Sequence, residues 1–183
     1  MKKVLVPLAQ GCEELEAVTI MDLLTRAGIE VVSAGLDDQP VKCSRNTVII
    51  PSTSLDKVLN DDFDLIVLPG GLPGADYLRD DRRIIELIQN QFEKNKLIAA
   101  ICAAPKVLAK AGLLDNKNAT SFPGVLKDLN LLNTQITDSA IEKDGNIITS
   151  RGPGTAMDFS LKLINLLLGA EKAETINQQM VRD

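Results

Sequence analysis

Four short runs of Val, Ile, Leu and Ala constrain this chain more than anything else in it: Val4–Leu8, Asp64–Leu68, Leu97–Ile101 and Ile147–Ser150. Each is too short for an independent helix and is closed by Gly, Pro or a cluster of small side chains. None alternates apolar with polar, so neither face of the resulting strand can look at water. That pattern predicts a parallel sheet covered on both sides. Helical spacing fills the gaps: Glu13–Ala27 with Gly28 as its stop, Ile84–Phe92, a long helix through Leu168 ended by Gly169, and a last helix over Glu171–Met180. Thr155, three residues ahead of Asp158, reads as an N-cap with a variant capping box. Glu30–Ala34 reads as another strand, and Val41–Cys43 with Val48–Ile50 as a small hairpin.

The 183 residues form most simply one domain spanning 1–183, and with 45% apolar but only 3% aromatic residues its core must be aliphatic. A net charge of −5 argues against a dedicated nucleic-acid binder. No run approaches the ~20 apolar residues of a membrane span. Met1–Pro7 reads as a strand rather than a leader, and three cysteines (Cys12, Cys43, Cys102) read as reduced thiols of a cytoplasmic protein. The chain contains no histidine and no C-x-x-C pair, so no zinc site is expected. It also lacks a phosphate loop and aromatics suited to flavin stacking, and no cofactor is expected.

In a sheet of this kind ligands bind beyond the carboxyl ends of the strands. Ala9-Gln10-Gly11, Pro69-Gly70-Gly71, Arg151-Gly152-Pro153-Gly154 and Cys102 are expected to converge there. Cys102 follows an apolar strand and is flanked by Ala100, Ala103 and Ala104, the small neighbours a sharp strand-to-helix elbow needs. An exposed corner and a nearby helix N-terminus would favour its thiolate. A small buried hydrophobe is the plainer reading. The missing histidine removes the usual base for such a thiol. Backbone N–H groups of Gly71 and Ala103 could hold an oxyanion, although a simple glycine turn explains that segment equally well. Glu13, Glu14 and Glu16 open the first helix. At about 100° per residue, Glu13 falls at the centre of the apolar face and Glu16 at its edge, and periodicity does not choose between them. Arg45, Arg26 and Arg151 are candidates for anion or subunit contacts, with solvated surface charge as the default. Cys12 and Cys43 read as structural thiols.

Five motifs in order resemble the ThiJ/PfpI superfamily, in the branch of the parkinsonism-associated deglycase and bacterial YajL-like proteins. They are Gly11-x-Glu13-Glu14-x-Glu16, Cys43-Ser44-Arg45, Val67-Leu68-Pro69-Gly70-Gly71, Ala99-Ala100-Ile101-Cys102-Ala103 and Thr149-Ser150-Arg151-Gly152-Pro153-Gly154-Thr155. The resemblance implies a flavodoxin-like three-layer α/β sandwich with a nucleophile elbow, usually a homodimer. It implies Cys102 as nucleophile, Glu16 as its acidic partner, and Gly71 and Ala103 as backbone donors, with Gly70, Arg45 and Phe122 around the substrate. Many relatives carry a histidine where Phe122 stands, and the peptidase-like ones carry one where Ala103 stands. A Cys–His hydrolase is therefore excluded. What remains is deglycase or glyoxalase chemistry on methylglyoxal-type dicarbonyls, or a non-catalytic redox sensor or redox-activated chaperone.

Overall fold

The computed structural model describes residues 1–182. The chain runs β1 (Lys3–Leu8), α1 (Glu14–Arg26), β2 (Glu30–Gly35), β3 (Val41–Lys42), β4 (Val48–Ile49), β5 (Thr53–Ser54), β6 (Leu65–Leu68), α2 (Gly74–Asp80) and α3 (Arg82–Glu93). It continues through β7 (Leu97–Ile101), α4 (Pro105–Lys110), β8 (Asn118–Ala119), β9 (Gln135–Ile136), β10 (Ile141–Asp144), β11 (Ile147–Ser150), α5 (Ala156–Leu168) and α6 (Ala170–Gln179). Seven strands make one sheet in the order β10-β11-β7-β6-β1-β2-β5. Every neighbouring pair is parallel except β10 with β11.

The apolar runs explain this arrangement. Side chains on a strand alternate between faces, so Val4, Val6 and Leu8 join Ile20, Leu24, Phe159 and Leu163 in the layer under α1, α5 and α6. Leu5, Ile66 and Leu68 join Leu78, Ile84, Ile88 and Val107 in the layer under α2, α3 and α4. With both faces occupied, a polar residue in β1 or β6 would be stranded. The result is the expected flavodoxin-like three-layer sandwich. β1 continues to β2 on one side while β6 and β7 lie on the other, which opens a crevice beyond the carboxyl ends of β1 and β6.

Several expectations need correction. Glu13 precedes the first helix with extended backbone (φ −79°, ψ 111°), so the helical wheel that centred it on the apolar face does not apply. Thr155 makes no capping box with Asp158; its hydroxyl bonds the carbonyl of Gly152 at 2.9 Å and pairs with the Ser150 hydroxyl at 2.7 Å. The short helices α2 and α4 gave no periodic signal, the second being six residues begun by Pro105. The antiparallel edge strand β10, Ile-Glu-Lys-Asp, is too polar to read as part of this sheet. Among the described residues no helix is long and apolar enough to cross a membrane.

Phe159 is fully buried between α5 and the sheet. Truncation to alanine should lower unfolding free energy by about 3–5 kcal/mol, read from urea melts.

Candidate active site

Cys102 ends β7 in the left-handed region, at φ 62°. An L-residue holds that conformation only when its surroundings enforce it. Here they do: its N–H donates to the Ser150 carbonyl at 3.0 Å, and its own carbonyl accepts the Phe122 N–H at 2.8 Å. The elbow is genuine, but it is not an exposed corner, because Cys102 is only 8% accessible.

Glu16, in the first turn of α1, is wholly buried. Its Oε2 accepts the Gly70 N–H at 2.8 Å, while Oε1 is buried without a hydrogen-bond partner. The thiol of Cys102 is the titratable group beside that carboxyl. Gly70 sits where the two meet. A Cβ on it would stand 2.7 Å from Cys102 Cβ, 2.8 Å from Glu16 Oε2 and 2.9 Å from the Ala103 nitrogen. Only glycine allows β6 to approach the elbow so closely. The Gly70 carbonyl in turn accepts the Glu13 N–H at 2.9 Å, which ties the start of α1 to the same loop.

Burial pushes the Glu16 carboxyl up to about 7, against smaller opposing effects of the Cys102 thiol and the Gly70 N–H. The Cys102 thiol is pushed up to about 12, by its own burial first and then by the Glu16 charge; the N–H groups of Gly71 and Ala103 pull it back down. The expectation of a thiolate favoured by a helix dipole is thus overturned. α4 is a short helix, and desolvation outweighs it. Burial thus raises both groups, the thiol further than the carboxyl, and the N–H groups of Gly71 and Ala103 are the donors that oppose it at the sulfur.

Around this pair an open cavity of about 230 Å³ is lined by Glu13, Ser44, Arg45, Gly71, Leu72, Cys102, Ala103, Phe122, Val125 and Pro153. Two of the three glycine-bearing strand ends reach it with Cys102, through Gly71 and Pro153, whereas Ala9-Gln10-Gly11 does not line it. Arg45 and Phe122 lie at the mouth, both exposed, and among the described residues the Arg45 guanidinium has no ion-pair partner. Arg26 instead pairs with Asp22 at 2.6 Å, and Arg151 holds the Asp138 carbonyl at 2.6 Å; neither lines the cavity. A larger cleft of about 480 Å³ along α5 and α6 contains no thiol. Sequence reasoning passed over Ser44, whose hydroxyl donates to Glu13 at 2.8 Å and contacts Glu14 at 3.2 Å. It also passed over the role of Glu14, which accepts the backbone N–H groups of Arg45 at 3.0 Å and Thr47 at 3.3 Å. A carboxylate that organises a loop through its amides leaves no local sequence signal.

A model of the DJ-1/PfpI family matches residues 2–166. The chain belongs to that family. It is 47% identical over 176 residues to protein dj-1beta of Drosophila melanogaster, covering 96% of this chain and 94% of that protein. It is 36% identical over 167 residues to the glutathione-independent glyoxalase DJR-1.2 of Caenorhabditis elegans, covering 91% and 89%. The crystal structure of Drosophila melanogaster DJ-1beta matches it at a TM-score of 0.95 and 45% identity, covering 100% of this chain and 98% of that one. The DJ-1/PfpI fold is thus present throughout, and the ThiJ/PfpI motifs read from the sequence belong to it.

The raised Glu16 carboxyl has a measurable signature. Between its usual value of 4.5 and about 7 the folded state holds a proton that the unfolded state has released. This contribution is therefore fully present below 4.5 and is lost as pH rises through about 7, a change of about 3 kcal/mol. Glu16→Gln should flatten that slope in urea melts across the window. In the same variant the amide oxygen keeps the Gly70 N–H and the amide NH2 turns to the sulfur. Thiolate absorbance should then show the Cys102 midpoint falling below about 12.

Proposed function

We propose that the chain is a cofactor-independent glyoxalase or deglycase, acting on methylglyoxal-type dicarbonyls or their early adducts on protein side chains in defence against carbonyl and oxidative stress. One observation carries this reading: in a protein without histidine, the Cys102 thiol at its left-handed elbow has the wholly buried Glu16 carboxyl as its neighbour, and burial raises that carboxyl toward neutral pH. A base works best when its titration lies near the operating pH.

The steps balance with these residues alone. Ionised Glu16 takes the Cys102 proton and the sulfur adds to the aldehyde carbon. Glu16 returns the proton to the new alkoxide, giving a hemithioacetal. The carboxylate then removes the hydrogen from that carbon, and the electron pair moves toward the neighbouring ketone to form an enediolate, in which the hydroxyl proton of the first carbon passes to the oxygen of the second. Glu16 delivers the proton to the second carbon. The first carbon is now a thioester and the second an alcohol, an internal oxidation and reduction. Water cleaves the thioester to lactate and restores the thiol. The Gly71 and Ala103 N–H groups stabilise first the thiolate and then the developing oxyanion. Arg45 and Phe122 would shape the entrance, and the cavity volume suits a three-carbon substrate. The glyoxalase name of the nematode relative favours this class.

A non-catalytic redox sensor using Cys102 fits less well, because its thiol is buried and its titration is raised rather than lowered. The same proposal takes the chain as a cytoplasmic homodimer. Leu15 and Val18 are exposed on one face of α1, and Val48 and Ile50 are exposed on the adjoining hairpin that Glu14 ties to that helix.

Purified protein should convert methylglyoxal to lactate without glutathione. Cys102→Ser should abolish this, and Glu16→Gln should lower kcat by about 10²–10⁴-fold, read by lactate formation. Turnover by Cys102→Ser equal to the parent would overturn the reading. In light scattering, Val48→Glu should shift the protein from dimer to monomer.

A further inference from the structure

A second pair of thiols lies outside the reacting pair. Cys12 Sγ and Cys43 Sγ stand 3.6 Å apart, 31 positions apart in sequence, and both are buried. Their backbones are fastened together on either side. The Gly11 N–H donates to the Lys42 carbonyl at 2.8 Å, and the Ser44 N–H donates to the Cys12 carbonyl at 2.8 Å. The side chain of Gln10 adds two more ties, to the Lys42 N–H and the Pro40 carbonyl, each at 2.9 Å. The aldehyde chemistry uses neither thiol.

We propose that Cys12 and Cys43 are a redox-convertible dithiol that closes to an intramolecular disulfide by exchange with a small-molecule disulfide of the oxidised-glutathione class. Bond formation requires the sulfurs to close from 3.6 Å to about 2.05 Å, a side-chain movement between backbones already held in register. Cys43 is the less buried of the two and reacts first. Its thiolate displaces one thiolate from the reagent to give a mixed disulfide. Cys12 then attacks the Cys43 sulfur and releases the second thiolate. One disulfide is reduced to two thiols, two cysteines become one cystine, and their protons leave with the reduced reagent. Entry is from the open cavity, whose wall includes Ser44 and Arg45 directly after Cys43, as that short loop opens locally. Burial raises the titration of both thiols, so exchange is slow at neutral pH and accelerates as pH rises. The cross-link pins Cys12, beside Glu13, to Cys43, beside Ser44 and Arg45. It therefore stiffens one wall of the cavity, whatever reaction occurs there.

The test uses full-length Cys102→Ser protein, which leaves these two as the remaining cysteines. Incubation with excess oxidised glutathione at mildly alkaline pH should yield a chain lighter by two hydrogens, with the Cys12 and Cys43 peptides linked. Melting should rise by about 5–10 °C, reversibly on adding dithiothreitol. With Cys12→Ala added, the reaction should stop at a glutathione adduct on Cys43. The proposal is overturned by an adduct on Cys43 alone when both cysteines are present, by cross-links between chains, or by two unreacted thiols in a protein that circular dichroism shows to be folded. None of these outcomes bears on methylglyoxal turnover, so this inference and the proposed reaction fail separately.

Discussion

Everything at the candidate site depends on how closely β6 passes the elbow of β7. The Gly70 N–H reaches Glu16 at 2.8 Å only because nothing projects from its α-carbon, where Cys102, Glu16 and Ala103 all crowd. That one amide fixes one oxygen of the buried carboxyl next to the elbow. Its carbonyl holds the first residue of α1 through Glu13. Gly71, next in the chain, has φ 88° and packs so closely on Glu13 and Cys12 that a side chain there would collide with backbone. Two successive glycines thus set how closely α1 and the elbow approach each other.

The sheet was legible because its strands are buried on both faces, and burial on both faces writes a continuous apolar run into the sequence. Val4–Leu8, Asp64–Leu68, Leu97–Ile101 and Ile147–Ser150 all became strands in parallel register or their immediate extensions. Elements held by something other than a broad apolar face were not legible. β10 is a polar edge, α4 is a six-residue helix just after the elbow, and the loop after Cys43 is shaped by a carboxylate from α1. Helical periodicity could not separate Glu13 from Glu16. Where α1 begins is decided by the Gly70 carbonyl, a tertiary contact from far along the chain. The family motif chose Glu16, and the structure buries that carboxyl beside Cys102. Composition foresaw the aliphatic core, but the state of the thiol was misjudged. A helix terminus was visible in the sequence, whereas the burial that outweighs it was not.

The electrostatics form one connected system. A lone buried carboxyl and a lone buried thiol each cost stability when charged. Side by side, with a single proton between them, they carry one charge that two loops of backbone N–H groups can meet from either end.

Position 122 does two separate things with two separate groups. Its main-chain amide clasps the Cys102 carbonyl and so helps hold the elbow in its strained conformation, while its phenyl ring only borders the cavity. Support comes from an atom common to every residue but proline, and chemistry from an atom set that can be exchanged. The side chain at this place can therefore be exchanged while the elbow stays undisturbed. The scaffold has in effect an interchangeable fitting at the mouth of its site, through which one architecture can be turned to different reactions.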